Sequence, residues 1–301
     1  MRTRWWVILA FLAPVTVVMA LIVFYPLAEA FFTTFTDLNR TNQGNRFRDP
    51  SWVVIGLENY RYILGGGDLT FYPTLLWTVV WTVVNVFFHY TLGLGLALLL
   101  NQPFRGRTGY RLLLLLPWAV PAYISSIAWL FIFNGEFGLL NNMSRVLNNV
   151  LPFLEIERVN WLSEYPWFYV SPIIVNVWLG VPFMMVALLG GLQTIPNDQY
   201  EAARVDGASG WQTFRNITLP GLRSVSQTVI LLGSIWTFNL FVVIYFVTGG
   251  GPAGKTEILV TYTYRAFERG DFARAATYAV IVFSMLLAFS AFYRRVSKEA
   301  T

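Results

Sequence analysis

The sequence predicts an all-α membrane protein with six transmembrane helices. Of its 301 residues, 56% are hydrophobic and only 12% are charged, whereas soluble domains carry about 25% charged residues. Apolar segments of about 20 residues, long enough to cross the hydrocarbon core of a bilayer, recur along the chain. Each must be helical, because backbone groups in lipid form their hydrogen bonds within their own segment. The six predicted spans cover about residues 7–31, 73–100, 112–134, 167–193, 225–247 and 272–293.

The first span follows two basic residues, Arg2 and Arg4, and its apolar run begins at Trp5. This run is longer than the apolar core of a signal peptide, so we expect an uncleaved first helix.

Basic residues indicate the orientation of the chain in the membrane. The short loop 101–111 contains Arg105, Arg107 and Arg111 and no acidic residue, and both ends of the chain are basic next to a span. Since cytoplasmic loops are enriched in Lys and Arg, we expect both termini to be cytoplasmic.

The composition argues against several functions. There is no cysteine and only one histidine, His89, which we interpret as a hydrogen-bonded packing residue, because metal sites need several ligands. The sequence shows no nucleophile–base pair of the kind that would indicate an enzyme, and it suggests no cofactor. The net charge of +5 is dispersed along the chain and beside the spans, so it does not indicate nucleic acid binding.

The loop of residues 194–222 is longer than a minimal connector. Pro196 and Asn197 form a helix start signal, and Gly207 supplies a stop. A second short helix fits residues 211–217, and Pro220 is expected to close it before the fifth span. The residues leave two interpretations open: a docking element for a partner protein, or amphipathic helices that rest on lipid headgroups.

A specific motif lies in this loop. It reads Glu201-Ala202-Ala203, three residues, Gly207, nine residues, and then Ile-x-Leu-Pro at 217–220. It resembles the EAA motif of bacterial ABC-importer membrane subunits. The resemblance implies a type I ABC importer permease core, formed by one domain over residues 1–301, whose loop is a cytoplasmic coupling helix seated on an ATP-binding subunit. With Tyr200, whose ring can fill a partner's pocket, the expected ATPase-docking residues are Tyr200, Glu201, Ala202, Ala203, Asp206 and Gly207.

Further segments resemble the carbohydrate-importer branch of this family, most closely the maltose/maltodextrin-type permease. They are residues 56–60, 115–121, 176–183, 238–244 and 248–252. The resemblance implies import of a sugar across the bacterial inner membrane by alternating access. It also implies a second permease subunit, two ATP-binding cassette subunits that hydrolyse ATP, and an extracytoplasmic solute-binding protein.

Polar residues inside the spans are candidates for contact with a solute, because such residues usually face the interior of the bundle. Helix–helix packing is the alternative role. Aromatic rings on the same spans could stack on sugars; they are Trp118, Trp178, Phe183 and Trp236. The polar candidates are Asn85, His89, Asn176, Ser234, Thr237 and Asn239.

The resemblance implies a substrate site on the third, fourth and fifth spans. This sequence departs from the family pattern at four positions of this site. Trp118 and Phe183 stand where the family has tyrosine, and Thr237 and Leu240 stand where it has asparagine. These replacements keep the aromatic rings that could stack on a sugar but reduce the number of hydrogen-bonding groups. The identity of the transported sugar therefore stays open, and the alternatives are another oligosaccharide or glycerol phosphate. A secondary transporter would show paired intramembrane charges or repeats. The implied site residues are Trp118, Asn176, Leu179, Gly180, Phe183, Gly233, Trp236, Thr237 and Leu240.

Residues 249–256 fit the pattern G-x-x-x-x-G-K-T of a phosphate-binding loop. That pattern has meaning only after a strand and before a helix of a soluble α/β unit. Here it follows a membrane span, so we expect a glycine-rich turn.

Overall fold

A computed structural model of the chain describes residues 5–151, 153 and 155–299. The described residues form helices joined by loops, and their β pairing is limited to two isolated bridges, Thr36 with Val54 and Asn45 with Arg48. The predicted all-α class is therefore confirmed. Arg2 and Arg4, on which part of the orientation argument rests, lie outside the described residues.

The chain divides into two compact units. The first runs to Tyr72 and includes Tyr262–Leu287; the second consists of Pro73–Thr261 and the segment from Ala288 onwards. The prediction of a single domain is not tested by this division and stays a prediction.

In the first unit, the N-terminal apolar helix consists of α1 (Trp5–Met19), a π-helical turn (Ala20–Phe24) and α2 (Tyr25–Thr33). Pro26 lies in the first turn of α2, where its missing N–H and its ring prevent regular α-helical bonding to the preceding turn. The wider turn is closed by the Tyr25 N–H, which donates to the Ala20 carbonyl. The helix α3 (Glu58–Leu64) follows. The helix α14 (Leu259–Glu268) contributes its part beyond residue 261, and α15 (Phe272–Glu299) contributes its part up to Leu287.

A buried carboxylate organises the first unit. Asp68 is 7% exposed and accepts hydrogen bonds from the hydroxyls of Thr70, Tyr262 and Tyr278. Burial disfavours the charged form, but the hydrogen bonds outweigh it and hold the pKa of Asp68 below its ordinary value. The ionised carboxylate therefore ties the segment before residue 71 to α14 and α15.

The second unit contains the long helices α4 (Phe71–Asn101) and α8 (Trp167–Leu192) and shorter helices between and after them. Two further π-helical turns lie at Phe214–Thr218 and Ile244–Thr248. The shorter helices are α5 (Arg107–Ala119), α6 (Ala122–Ile132), α7 (Leu139–Val150), α9 (Asn197–Val205), α10 (Gly210–Thr213), α11 (Leu219–Gly221), α12 (Arg223–Phe238) and α13 (Phe241–Val243).

Among the described residues, four helices are long and apolar enough to cross a membrane, and six segments qualify if each of two bent pairs is one span. The pair α5 and α6 is bent by 90°, and α12 is bent by 41° against Phe241–Thr248. The count of six spans therefore stays a prediction. The four long helices are Trp5–Thr33, Phe71–Asn101, Trp167–Leu192 and Phe272–Ser297.

The bend between α5 and α6 divides the predicted third span, 112–134. Val120 is extended, with φ −82° and ψ 132°, and Pro121 occupies the N-cap position of α6. A residue before proline is displaced from the helical region by the proline ring, which explains the break. The span is thus two helices rather than the single predicted one.

Two hydrophobic clusters form the core of the second unit. One contains Trp81 and Val175 and is rich in aromatic residues, with Trp77, Trp129 and Trp161 packed against it. The other contains Leu94 and Leu188 and is mainly aliphatic. Because Trp81 and Leu94 are both on α4, and Val175 and Leu188 both on α8, the clusters lie at successive levels along the same two helices.

Candidate functional site

A cavity of about 340 Å³ lies between α4, α5, α6, α8 and α12 in the second unit. Its volume falls in the range of small-molecule pockets, roughly 300–1,000 Å³. It is lined by all nine residues of the predicted substrate site: Trp118, Asn176, Leu179, Gly180, Phe183, Gly233, Trp236, Thr237 and Leu240. The cavity is also lined by His89, which the sequence analysis names as a polar candidate for contact with a solute, and by five residues that it did not place at the site: Ala119, Val120, Pro121, Ala122 and Met184.

The polar part of the cavity is contributed mainly by buried side chains. Asn176 is 2% exposed and Thr237 is 3% exposed. The Asn176 Nδ2 group is buried and has no hydrogen-bond acceptor among the described residues. A buried donor without an acceptor is costly, at about 1–3 kcal/mol. Asn176 lines the cavity, so this donor is a candidate for contact with a polar ligand.

The aromatic part of the cavity is formed by rings on three helices. Phe183 and Trp236 contact each other with ring centroids 4.9 Å apart and planes inclined by 59°. Trp118 lies at the C-terminal end of α5, next to the Pro121 bend, and is largely exposed. The fourth predicted ring, Trp178, packs against Trp129 instead.

The other predicted polar residues differ in burial. Asn85, His89 and Ser234 are buried, as expected for residues that face the bundle interior. Asn239 is exposed, and its side chain donates to the Ile235 carbonyl in the last turn of α12. Asn239 is the C-cap residue of α12 and does not line the cavity, so its contact with a solute stays a prediction.

The motif-bearing loop begins with α9, as the Pro196–Asn197 signal predicts. Its end is a Schellman motif: the Gly207 N–H donates to the Arg204 carbonyl at 3.2 Å, and the Ala208 N–H donates to the Ala203 carbonyl at 2.9 Å. Gly207 has φ +75°, in the left-handed region that favours glycine. The predicted stop at Gly207 is confirmed.

The predicted docking residues differ in how they are presented. Glu201, Ala202, Asp206 and Gly207 are exposed, and Ala203 is half-buried. Val205, beside them, is 88% exposed.

Tyr200 faces its own protein. Its ring packs against the aliphatic core cluster, and its hydroxyl lies 3.2 Å from Thr218 Oγ1. The ring is thus not free to fill a partner's pocket, and it holds α9 against the core.

The second half of the loop is helical for longer than predicted. Ser209 and Gln212 form a reciprocal capping box at the start of α10. A π-helical turn and α11 follow, and α12 begins at Arg223. Pro220 lies in the first turn of α11, where a proline is tolerated. The expectation that Pro220 closes the helix is therefore wrong.

The glycine-rich segment 249–256 is closed on itself. The Thr256 hydroxyl donates to the Gly251 carbonyl, and it lies 2.8 Å from the Thr248 hydroxyl. Lys255, which would contact phosphate in a nucleotide-binding loop, lies 5.9 Å from the centroid of the Phe168 ring. The segment follows helical turns, so it lacks the strand that a phosphate-binding loop requires.

Comparison with known proteins identifies the family. Residues 89–300 match the family described as the inner membrane component of binding-protein-dependent transport systems. The chain belongs to this family. It is 35% identical over 289 residues to a probable ABC transporter permease protein of Brucella suis, with 95% of each chain covered. It is 36% identical over 249 residues to the trehalose/maltose transport system permease protein MalF of Thermococcus litoralis, with 83% of this chain and 81% of the relative covered.

The fold is also that of a solved permease. A chain of the bacterial alginate ABC transporter, crystallised with its alginate pentasaccharide-bound periplasmic protein, matches with a TM-score of 0.81 at 19% identity. The match covers 98% of this chain and 95% of that chain. The protein is therefore an ABC importer permease of the inner membrane, a multi-pass transport subunit rather than an enzyme.

Proposed function

We propose that the permease carries a sugar of the maltose or maltodextrin type through the cavity between α5, α8 and α12. The observation that carries this proposal is the convergence of all nine expected substrate residues on one cavity. The named specificity of the Thermococcus relative for trehalose and maltose supports the same class of solute.

The cavity suits the chemistry of an uncharged sugar. Its aromatic residues Trp118, Phe183 and Trp236 can stack on the C–H faces of a sugar ring, and the Asn176 Nδ2 group can donate to a hydroxyl oxygen. The cavity lining contains no Arg, Lys, Asp or Glu within the described residues. A phosphorylated solute would favour basic groups, so the lining argues against glycerol phosphate.

Uptake competition tests the sugar class. The complete transporter in proteoliposomes is supplied with labelled maltose and challenged with unlabelled trehalose, maltotriose or glycerol 3-phosphate. We expect competition by the sugars; competition by glycerol 3-phosphate alone would contradict the proposal.

Removal of a ring tests the cavity. Trp236→Ala should raise the KM for maltose by about 3- to 10-fold, since an aromatic contact contributes about 0.5–1.5 kcal/mol. Phe87→Ala is the matched control, because Phe87 is 59% exposed and does not line the cavity. Equal effects of the two substitutions would refute the assignment.

We infer that the loop from Pro196 to Pro220 docks on one of two ATP-binding subunits. The exposed Glu201, Ala202 and Asp206 at the surface of the loop support this role, and a second, related permease would complete the membrane part. An extracytoplasmic binding protein would deliver the sugar. Native mass spectrometry of the complex purified through this chain should give one copy of each permease and two ATP-binding subunits; a homodimer of this chain would contradict the heterodimer.

The proposed orientation has both termini in the cytoplasm. Because the sequence lacks cysteine, a single cysteine added near either end can be labelled without background. In right-side-out vesicles, we expect an impermeant maleimide to leave it unlabelled until the membrane is opened. Labelling of intact vesicles would reverse the orientation.

A further inference from the structure

The helix α4 contributes none of the nine expected substrate residues, yet it faces the helices that carry them. Trp81, Asn85 and His89 are spaced by four residues, so they follow one another along one face of α4. All three side chains are at least 96% buried. They form a stripe of buried side chains with polar atoms, next to the buried Thr74, Thr78 and Thr82 of the same helix. Polar groups inside a membrane helix are costly and usually have a role.

Two members of this stripe hold backbone carbonyls of the cavity wall. The Trp81 Nε1–H donates to the Thr237 carbonyl oxygen at 3.0 Å. The His89 Nε2 atom lies 2.9 Å from the Asn176 carbonyl oxygen. Both carbonyls belong to residues of the proposed site, one on α12 and one on α8. The two contacts start eight residues apart on α4, which is about 12 Å along the helix.

The contact with Asn176 defines the proton on the histidine ring. A carbonyl oxygen only accepts hydrogen bonds, so the Nε2 atom of His89 must carry the hydrogen. The ring is therefore held as the Nε2–H tautomer, and its orientation is fixed by the main chain of α8.

The same ring explains the glycine at position 180. A Cβ atom added to Gly180 would collide with the Cε1, Nε2 and Cδ2 atoms of His89. By contrast, a Cβ at Gly190, on the same helix, would meet no atom within 4 Å. Gly180 thus lets the imidazole lie directly on α8.

The contact also controls a donor in the cavity. The main chain of Asn176 is held by His89, and Asn176 lines the cavity with a side-chain Nδ2 group that has no acceptor among the described residues. Fixing the main chain fixes the point from which this side chain starts. Thr237, held through its carbonyl by Trp81, is fixed in the same way on α12.

We propose that α4 positions the solute-binding residues of the cavity, with His89 setting Asn176 on α8 and Trp81 setting Thr237 on α12. The contact of Asn176 and Thr237 with the solute rests on the proposed sugar function. Trp81 does not line the cavity and acts through Thr237. His89 does line it, but its Nε2–H is bonded to the Asn176 carbonyl, so we assign it the same positioning role.

A spectroscopic experiment tests the histidine contact without reference to any solute. His89 is the only histidine of the sequence, so a ¹⁵N-histidine-labelled chain, purified by a tag without histidine and assembled with unlabelled partner subunits, reports this ring alone. We expect the ¹⁵N shifts of the Nε2–H tautomer. Gly180→Ala should shift the signals and Gly190→Ala should not. The Nδ1–H tautomer, or an unchanged spectrum in Gly180→Ala, would overturn the proposal.

A transport experiment tests the consequence for the solute. His89→Leu removes the donor, whereas His89→Gln places an amide N–H at a similar distance from the main chain. With labelled maltose, we expect His89→Leu to raise KM about tenfold at an unchanged maximal rate, from loss of one buried hydrogen bond. His89→Gln should restore most of the affinity.

The outcomes separate the two proposals. Equal impairment of both variants, with a lower maximal rate and an unchanged KM, would show that His89 only supports the fold and would overturn the positioning role. If the unmodified transporter takes up no maltose, the proposed sugar is wrong, and the tautomer and the Gly180 comparison still decide whether α4 holds the cavity wall.

Discussion

Replacement of Gly207 by alanine is a sharp test of the loop that carries the motif. Gly207 has φ +75°, and a Cβ placed there would meet no atom within 4 Å. Crowding is therefore no part of the effect, and the whole cost is the left-handed backbone, about 1–2 kcal/mol for an L-residue. Since 1.4 kcal/mol corresponds to a factor of ten, the local opening equilibrium should rise about 5- to 30-fold.

The helix that ends before this glycine is too short to remain stable against a strain of this size. The helix α9 has nine residues, and isolated helices shorter than about 12–15 residues are marginal in water. We therefore expect the strain to open the Schellman motif rather than to be spread over the membrane helices. Hydrogen exchange measured by mass spectrometry on a peptide that covers residues 197–208 should be faster by the same 5- to 30-fold.

The functional assay is the ratio of solute taken up to ATP hydrolysed by the complete transporter. We expect this ratio to fall in Gly207→Ala while the amount of protein in the membrane is unchanged. Gly207→Asn should be milder, because asparagine tolerates the left-handed region better than other side chains.

The matched control is Gly210→Ala. Gly210 is in the same loop, has no positive φ, and has open space for a Cβ. Normal exchange and coupling in Gly207→Ala, or equal losses in Gly210→Ala, would refute the reasoning.

Two further predictions concern stability. Gly93→Ala should destabilise the complex by about 1–3 kcal/mol, because its Cβ would lie 2.6 Å from the Met184 Cβ. Gly95→Ala is the control: a Cβ there has open space, so the melting temperature should be unchanged. Equal melting temperatures for the two variants would contradict the close packing of α4 and α8. Asp68→Asn should cost about 1–3 kcal/mol at neutral pH by weakening the hydroxyl network. The pKa of Asp68 is below its ordinary value of 3.8. The difference in melting temperature between wild type and variant should therefore be constant near neutrality and shrink only in acid, as the pH falls through that lowered pKa. A difference that shrinks between pH about 8 and 5 would contradict the lowered pKa.

The sequence was sufficient to predict structural features that depend on the backbone geometry of a single residue and its immediate neighbours. The helix start at Pro196 and the stop at Gly207 depend on proline and glycine geometry within a few residues, and both are found. The break at Pro121 belongs to the same class: the proline is visible in the sequence, but apolar residues continue on both sides of it and the span was predicted as one helix.

Contacts between residues that are distant in the sequence were not predictable in the same way. Tyr200 has the same amphipathic character whether its ring faces a partner or its own core. Its contact with Thr218 decides between the two, and that contact depends on how the loop returns to the membrane helices. His89 was correctly interpreted as a buried, hydrogen-bonded residue, but its acceptor is 87 positions away. The convergence of the nine site residues came from a family resemblance, since spacing along three separate helices does not specify a shared cavity.

The loop and the cavity wall are parts of one helical path. Backbone conformation stays right-handed and helical from Gly210 through Leu222 to Phe238. Leu222 joins the loop side of this path to α12, and its side chain is fully buried. The loop side, residues 210–221, is about 18 Å long, and on the other side Gly233 lies about 17 Å and Thr237 about 23 Å along the path from Leu222. Because the two sides have similar lengths, a displacement of about 1 Å at the loop corresponds to about 1 Å at Gly233 and Thr237 if the path turned as a rigid body about Leu222. A small displacement applied to the loop would thereby reach the cavity wall at a similar size.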